Sequence, residues 1–145
     1  MRILCVCTGN TCRSPMLEVL LADALRRAGV EATVESAGTA AAPGEPASDG
    51  AQRAMAGRGL DLAGHRSRGL DGIDLGVFNR IFTVSSRHAA HLRSRGVEAA
   101  RIAVVAAERG GVPDPFGGGE AEYEAAAATL AAEAARIAAE LSARR

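Results

Sequence analysis

Lysine is absent: all 17 basic residues of the chain are Arg. That removes Schiff-base chemistry and the lysine-dependent nucleotide loop from the functions open to it. Neither charge sign is in excess, with 17 basic against 17 acidic residues and a formal net charge of zero. No basic run stands out, so nucleic acid is not expected as a partner. There is no apolar run long enough to span a bilayer and no basic and apolar leader before the first strand. A cytoplasmic protein with no membrane partner is expected, in a compartment where a thiol stays reduced. No cysteine follows Cys12, and the three present, Cys5, Cys7 and Cys12, show no Cys-x-x-Cys spacing. Zinc would need a distant histidine as well, so neither metal nor cofactor is expected. Repeats and linkers are missing too. At 145 residues the chain fits one domain, 1–145, around one core.

What is present is concentrated in Cys7-Thr8-Gly9-Asn10-Thr11-Cys12-Arg13-Ser14. The short apolar run Ile3-Leu4-Cys5-Val6 before it predicts a first strand. Ser14-Pro15 after it predicts a helix start, with Ser14 as the cap and Pro15 as the first helical residue. Leu17, Leu20, Leu21, Ala24 and Leu25 then give that helix an apolar face as far as about Ala28, with Gly29 closing it. A loop from a strand's carboxyl end to a helix's amino end is where anions settle, drawn by free N–H groups and the helix dipole. Such surroundings, with Arg13 and the Ser14 hydroxyl, favour a thiolate at Cys7. Arg13 offers a planar fork that matches two oxygens of a tetrahedral oxyanion. Gly9 permits close approach of backbone to ligand, and Asn10 tolerates positive φ. Together these parts hold a phosphate in line with a sulfur nucleophile.

Downstream, residues 30–36 alternate apolar and polar, predicting a half-exposed strand at a sheet edge. Pro43-Gly44-Glu45-Pro46 marks a loop, followed by a helix of about three turns ending near Gly57 or Gly59. Residues 61–77 carry no clear pattern beyond a turn or short helix at Asp71–Asp74. Ile81–Val84 is a buried strand, and Ser85-Ser86 caps a helix that stops at Gly96. On that helix His88 and His91 are expected to be solvated. Ile102–Val105 is the last strand. A Gly-rich loop from Gly110 to Gly119 precedes a long helix from Glu120. There Tyr123, Ala127, Leu130, Ala134, Ile137 and Leu141 form a seam suited to lying on a sheet face. Strands alternating with helices predict an α/β fold with a mainly parallel sheet covered on both faces.

Phosphoryl transfer to sulfur also needs a group that protonates the leaving atom and later takes a proton from water. Asp114 is placed for this, on the loop after the last strand. Alone, Asp114-Pro115 would read as a turn start; beside the Cys-Arg loop it reads as the acid.

Cys-x5-Arg-Ser, in the fuller form Val6-Cys7-Thr8-Gly9-Asn10-Thr11-Cys12-Arg13-Ser14-Pro15-Met16, resembles the phosphate loop of the low-molecular-weight protein tyrosine phosphatases. Within that family the string looks most like the bacterial protein arginine phosphatases. The resemblance implies four parallel strands in order 2-1-3-4 in a single-domain α/β sheet with helices on both faces. Cys7, Arg13 and Asp114 are then catalytic. Thr8, Gly9, Asn10, Thr11, Cys12, Ser14 and Phe116 are substrate-binding, and Ser36 and His65 brace the loop. Asp114-Pro115-Phe116-Gly117-Gly118 is similar to the family's general-acid loop. Thr11 stands where tyrosine-directed members usually have an aliphatic residue, and Phe116 where they usually have Tyr. Leu17 and Gly119 depart from the family's more common Ala and Ser.

The implied activity is hydrolysis of phosphoarginine on proteins through a cysteinyl phosphate. Phosphotyrosine hydrolysis is the near alternative. Arsenate reduction on the same fold needs later cysteines that this chain lacks. A phosphate-binding module without turnover would have no use for both Cys7 and Asp114. Phosphorylated proteins are the expected partners of a monomer. Cys7 and Cys12 bracket a tight loop, so they could join under oxidation; Cys12 reads equally as a small buried thiol.

Overall fold

A computed structural model describes residues 1–144. Strand β1 (Arg2–Cys7) is followed by helix α1 (Arg13–Arg27), strand β2 (Thr33–Gly38) and helix α2 (Asp49–Ala56). Strand β3 (Arg80–Thr83), helix α3 (Ser86–Ser94), strand β4 (Ile102–Val104) and helix α4 (Glu120–Ala143) complete the fold. The strands form one parallel sheet in the order β2-β1-β3-β4.

β1 lies between two neighbouring strands, and packed side chains cover both its faces. Ile3, Cys5 and Cys7 pack toward α1, α2 and α4, joined from β3 by Phe82. The alternate residues Leu4 and Val6 pack on the other face with Ile81, and with Leu92 and Val97 from and beyond α3. This period of two along a fully buried strand is why β1 reads as an unbroken apolar run. It also assigns Cys7, the last residue of the strand, to the face on which α1 begins.

α4 buries the expected seam: Tyr123, Ala127, Leu130, Ala134, Ile137 and Leu141 all lie in the core. The small residues among them let α4 lie close to α1. On the opposite face, Ser85 caps α3 by accepting from the His88 N–H, and Gly96 has φ +89° just beyond its end.

Several boundaries differ from those the sequence suggests. The second strand starts at Thr33, three residues later than the alternation implies, and keeps to the sheet edge. The helix after the proline loop is eight residues long, closer to two turns than three. Residues 71–77 form a turn and then a single 3₁₀ turn at Leu75–Val77.

The start of α1 matters most for function. Helix α1 begins at Arg13, with Cys12 at the cap position and no side chain capping it. Ser14 is therefore the second helical residue and not the cap, and Pro15 is the third, still inside the turn where a missing N–H costs nothing. The Ser14 hydroxyl is engaged elsewhere: it accepts from Asn10 Nδ2 at 2.9 Å and lies 2.9 Å from Cys7 Sγ. The first N–H groups of α1 are thus left without a side-chain cap, at the end of the loop that leaves β1.

Candidate active site

The site is assembled where the carboxyl ends of the parallel strands meet the amino end of α1. A cavity of about 220 Å³ is lined by Cys7, Thr8, Gly9, Thr11, Cys12 and Arg13 from the first loop, and by Asp114 and Phe116 from the loop before α4. Cys7 is 2% exposed and borders this cavity. Its sulfur meets the Asn10 backbone N–H at 3.3 Å and the Ser14 hydroxyl at 2.9 Å. Ser14 Oγ accepts from Asn10, and its own hydrogen has two acceptors in reach, the sulfur at 2.9 Å and the Ala37 carbonyl at a longer 3.5 Å.

Asn10 organises this turn. It has φ +57°, the left-handed region that Asn tolerates better than most residues. Fully buried, its amide donates to Ser14 Oγ and Ser36 Oγ, each at 2.9 Å, while its Oδ1 accepts from the Arg68 backbone N–H at 3.0 Å. Its own carbonyl lies 2.7 Å from His65 Nε2, which must therefore carry the ring proton. Ser36 and His65 thus both touch the loop through Asn10. A second support is the extension of β2: Thr39 N–H donates to the Cys7 carbonyl and Ala40 N–H to that of Thr8. Gly38 makes this approach possible, since a Cβ there would lie 2.3 Å from the Thr8 carbonyl oxygen. Gly9 differs, because a Cβ at that position would meet only Thr11 Oγ1, at 3.7 Å. The protein's own packing does not demand that glycine.

Arg13 is buried and committed on one side. Its Nη1 donates to the Val112 carbonyl at 2.9 Å, and Nη2 lies 3.6 Å from Asp114 Oδ2. The Asp114 side chain is 51% exposed, and its other oxygen accepts from the Phe116 N–H at 3.1 Å. Phe116 itself is 72% exposed. Thr11 lies on the cavity wall beside Cys12, whose buried sulfur approaches Ser48 Oγ at 3.3 Å and the Tyr123 hydroxyl at 3.4 Å. Burial raises the Tyr123 pKa, and the bond to Cys12 adds to the rise. All three cysteines are free thiols. Cys5 lies inside the sheet, where burial pushes its pKa well up.

One expectation is overturned. His88 is 3% exposed rather than solvated. Its Nε2 lies 2.8 Å from Thr8 Oγ1 and its Nδ1 2.6 Å from Ser85 Oγ. Burial, then the Arg13 and Arg87 charges, lower its pKa to about 4. His91 is half-buried, and its Nε2 is buried without a partner among the described residues. The reason is topological. α3 leaves the carboxyl end of β3, and β3 pairs directly with β1, so the first turn of α3 lies beside the loop after β1. The signal in the sequence was Ser-x-x-His at the start of a helix leaving a central strand. Gly38, Arg68, Val112 and Tyr123 are likewise supports that no local pattern marked.

No described helix is long and apolar enough to cross a membrane.

Comparison with known proteins agrees with this geometry. Residues 2–145 match the family described as low molecular weight phosphotyrosine protein phosphatase. The chain is 38% identical over 130 residues to a protein-arginine-phosphatase of Geobacillus stearothermophilus, covering 86% of this chain and 85% of that one. A solved structure of a YwlE arginine phosphatase mutant with a phosphorylated active-site serine superposes with a TM-score of 0.90. Identity to it is 30%, over 97% of this chain and 95% of that one. The low molecular weight protein tyrosine phosphatase from T. tengcongensis gives the same TM-score of 0.90 at 31% identity, covering 97% of this chain and 99% of the other. With a match running almost end to end, and a thiol, a guanidinium and a carboxylate sharing one cavity, this chain belongs to the low molecular weight phosphotyrosine protein phosphatase family of cysteine-based phosphatases.

Proposed function

We propose that this protein removes phosphate from phosphoarginine side chains of other proteins by way of a Cys7-phosphoenzyme. The observation that carries this reading is the shared cavity of Cys7, Arg13 and Asp114 with Thr11, not an aliphatic residue, on its wall. The extent of similarity to a protein-arginine-phosphatase supports the choice of substrate.

In the first step the Cys7 sulfur attacks phosphorus and the P–N bond breaks. Asp114 gives its proton to the departing nitrogen, so a neutral guanidine leaves. In the second step water attacks the S–P bond, Asp114 takes back a proton, inorganic phosphate departs and the Cys7 thiolate is restored. Arg13 binds two phosphoryl oxygens. With Nη1 held by Val112, the edge formed by Nε and Nη2 is the one that faces the ligand. The N–H groups of the loop and of the first turn of α1 hold the remaining oxygens. Ser14 and the Asn10 N–H donate to the sulfur when it carries the negative charge, and Asn10, Ser36 and His65 keep the loop in this shape.

Thr8, Gly9, Thr11 and Cys12 border the phosphoryl group, and Phe116 borders the substrate side chain. The whole of 1–145 acts as one catalytic domain, as a cytoplasmic monomer. Cys7 and Cys12 line the same cavity. Mild peroxide would join them as a disulfide that spares the nucleophile from overoxidation. Peptide mapping tests this; irreversible Cys7 sulfonate with Cys12 still free speaks against it.

Phosphotyrosine is the second reading, favoured by the exposed ring of Phe116, which offers a flat apolar face at the cavity mouth. The deciding experiment compares kcat/KM on phosphoarginine and phosphotyrosine proteins for the wild type and Thr11→Ile. Wild-type preference for phosphoarginine that Thr11→Ile erodes supports the first reading. Wild-type preference for phosphotyrosine, unaltered by the substitution, replaces it with the second.

A further inference from the structure

The buried contact between His88 and Thr8 has no part in the chemistry above, yet it reaches the residue directly after the nucleophile. Its hydrogen-bond directions follow from which ring nitrogen carries the proton. Ser85 Oγ caps α3 by accepting from the His88 backbone N–H at 3.3 Å. A hydroxyl that accepts there still has one hydrogen to donate, and His88 Nδ1, at 2.6 Å, is the side-chain acceptor beside it. With Ser85 as that donor, Nδ1 is the bare nitrogen and Nε2 carries the ring proton, the tautomer on which the inference stands. Nε2–H donates in turn to Thr8 Oγ1 at 2.8 Å. The Thr8 hydroxyl, having accepted, keeps its own hydrogen, and the open side of Thr8 is the cavity it shares with Cys7 and Arg13.

We infer that His88 is a positioning residue: through the relay Ser85–His88–Thr8 it keeps the Thr8 hydroxyl turned as a hydrogen-bond donor toward a phosphoryl oxygen in the cavity. This rests on the reading of that cavity as a phosphate site. It adds one side-chain donor to a ring otherwise made of backbone N–H groups and Arg13.

The charged and titratable groups facing the ring are Arg13 at the start of α1, Arg87 and His91 on α3 itself, and Asp114 on the opposite loop. Burial first, then Arg13, Arg87 and His91, keep the ring neutral far below its ordinary range, against the opposing pull of Asp114. His88 therefore carries no proton of the reaction across the neutral range. Replacing it lowers the plateau of the pH–activity curve and leaves the positions of its limbs in place. A histidine acting as general acid or base would move a limb instead.

The test uses full-length protein with p-nitrophenyl phosphate and phosphoarginine as substrates. Thr8→Val and His88→Leu are each expected to lower kcat/KM about tenfold, the scale of one lost hydrogen bond to a charged group. The double variant should be no worse than either single one, because one interaction is lost in every case. His88→Gln, whose amide N–H can reach the position of Nε2–H, should recover to within about threefold of wild type. Nitrogen NMR of the His88 ring, assigned against His88→Gln, should show the proton on Nε2 at pH 7.

Multiplying effects in the double variant, a proton on Nδ1, or His88→Gln as impaired as His88→Leu would each overturn the inference. Should His88→Leu fail to fold, Thr8→Val against Thr8→Ser decides, since only Ser keeps the hydroxyl. Equal activity of those two sinks the idea. A wild type without phosphatase activity, or one whose activity survives Cys7→Ser, would instead refute the reading of the site, and the ring tautomer would still be measured independently.

Discussion

Two loops meet at the cavity, and they are built in opposite ways. The loop after β1 is buried and over-determined. Asn10 alone ties it to Ser14, Ser36, His65 and Arg68, and the extension of β2 binds its carbonyls from outside. The loop before α4 is anchored mainly at its root, where Val112 N–H donates to the Val84 carbonyl and Val112 O accepts from Arg13, with the Arg13–Asp114 pair at 3.6 Å and buried Pro115 farther along. Beyond that point Pro113, Asp114 and residues 116–119 are exposed. The difference suits the tasks proposed for them. Groups that stabilise developing charge work best when fixed before the reaction. A group that must give a proton to a substrate and later take one from water has to remain within reach of solvent.

This contrast can be broken at either side. The largest effect is expected for Cys7→Ser, which should lose at least about 10⁴-fold in turnover while its circular dichroism stays that of wild type. Measurable turnover near the wild-type rate would remove the nucleophile from the first loop. Next comes Asp114→Asn on the second loop. We expect a fall of about 10²–10³-fold in kcat on phosphoarginine and a much smaller one on p-nitrophenyl phosphate, whose leaving group hardly needs a proton. Because Asp114 is exposed, the melting temperature should not move; equal losses on both substrates would point to a role other than proton donation.

Asn10→Ala should harm both properties at once. It removes three side-chain hydrogen bonds and puts alanine at positive φ. A stability loss of about 2–4 kcal/mol in denaturant unfolding, with at least about tenfold lower kcat/KM, is the expected result. Unchanged stability would mean that the first loop is not held as described.

A smaller effect should appear on acidification. His88 is neutral in the fold with a pKa of about 4, against an ordinary value of 6.5. The unfolded chain therefore takes up this proton first, and stability falls as the pH drops from 6.5 toward 4, by at most about 3 kcal/mol. Above pH 6.5 His88 contributes no slope. Urea titrations at pH 7 and pH 5 on wild type and His88→Gln check this, since the variant should lose less on acidification. The smallest change is expected for Phe116→Ala, within about 0.5 kcal/mol of wild-type stability because the ring is exposed. Its signature is a higher KM with kcat nearly kept, read on a phosphorylated protein substrate.

How far the fold and the site could be read in advance differs residue by residue. The strand order was carried by the family resemblance, whereas the alternation of β1 and the seam of α4 arise from side-chain periodicity. Asn10 at positive φ and Ser85 as a cap are local preferences of short polar side chains. The sequence reading of Ser14 fails because the same preference has a competitor: its hydroxyl is taken by Asn10 and the Cys7 sulfur, and the helix starts at Arg13, two residues earlier. The solvated reading fails for His88 because a helix-borne histidine meets water unless something packs over it. The first loop, 80 residues away along the chain, packs over His88.

The amino-acid order by itself determined the elements, the sulfur–arginine loop at a helix start, and the carboxylate on a later loop, because each depends on neighbours within a few residues. The meeting of Asn10 with Ser36 and His65, of Arg13 with Val112 and Asp114, and of Thr8 with His88 was decided only in three dimensions. Parallel pairing of β1 with β2 and β3 sets their carboxyl ends side by side, so the segments leaving those strands converge at one rim. No local pattern encodes a contact between residues that far apart.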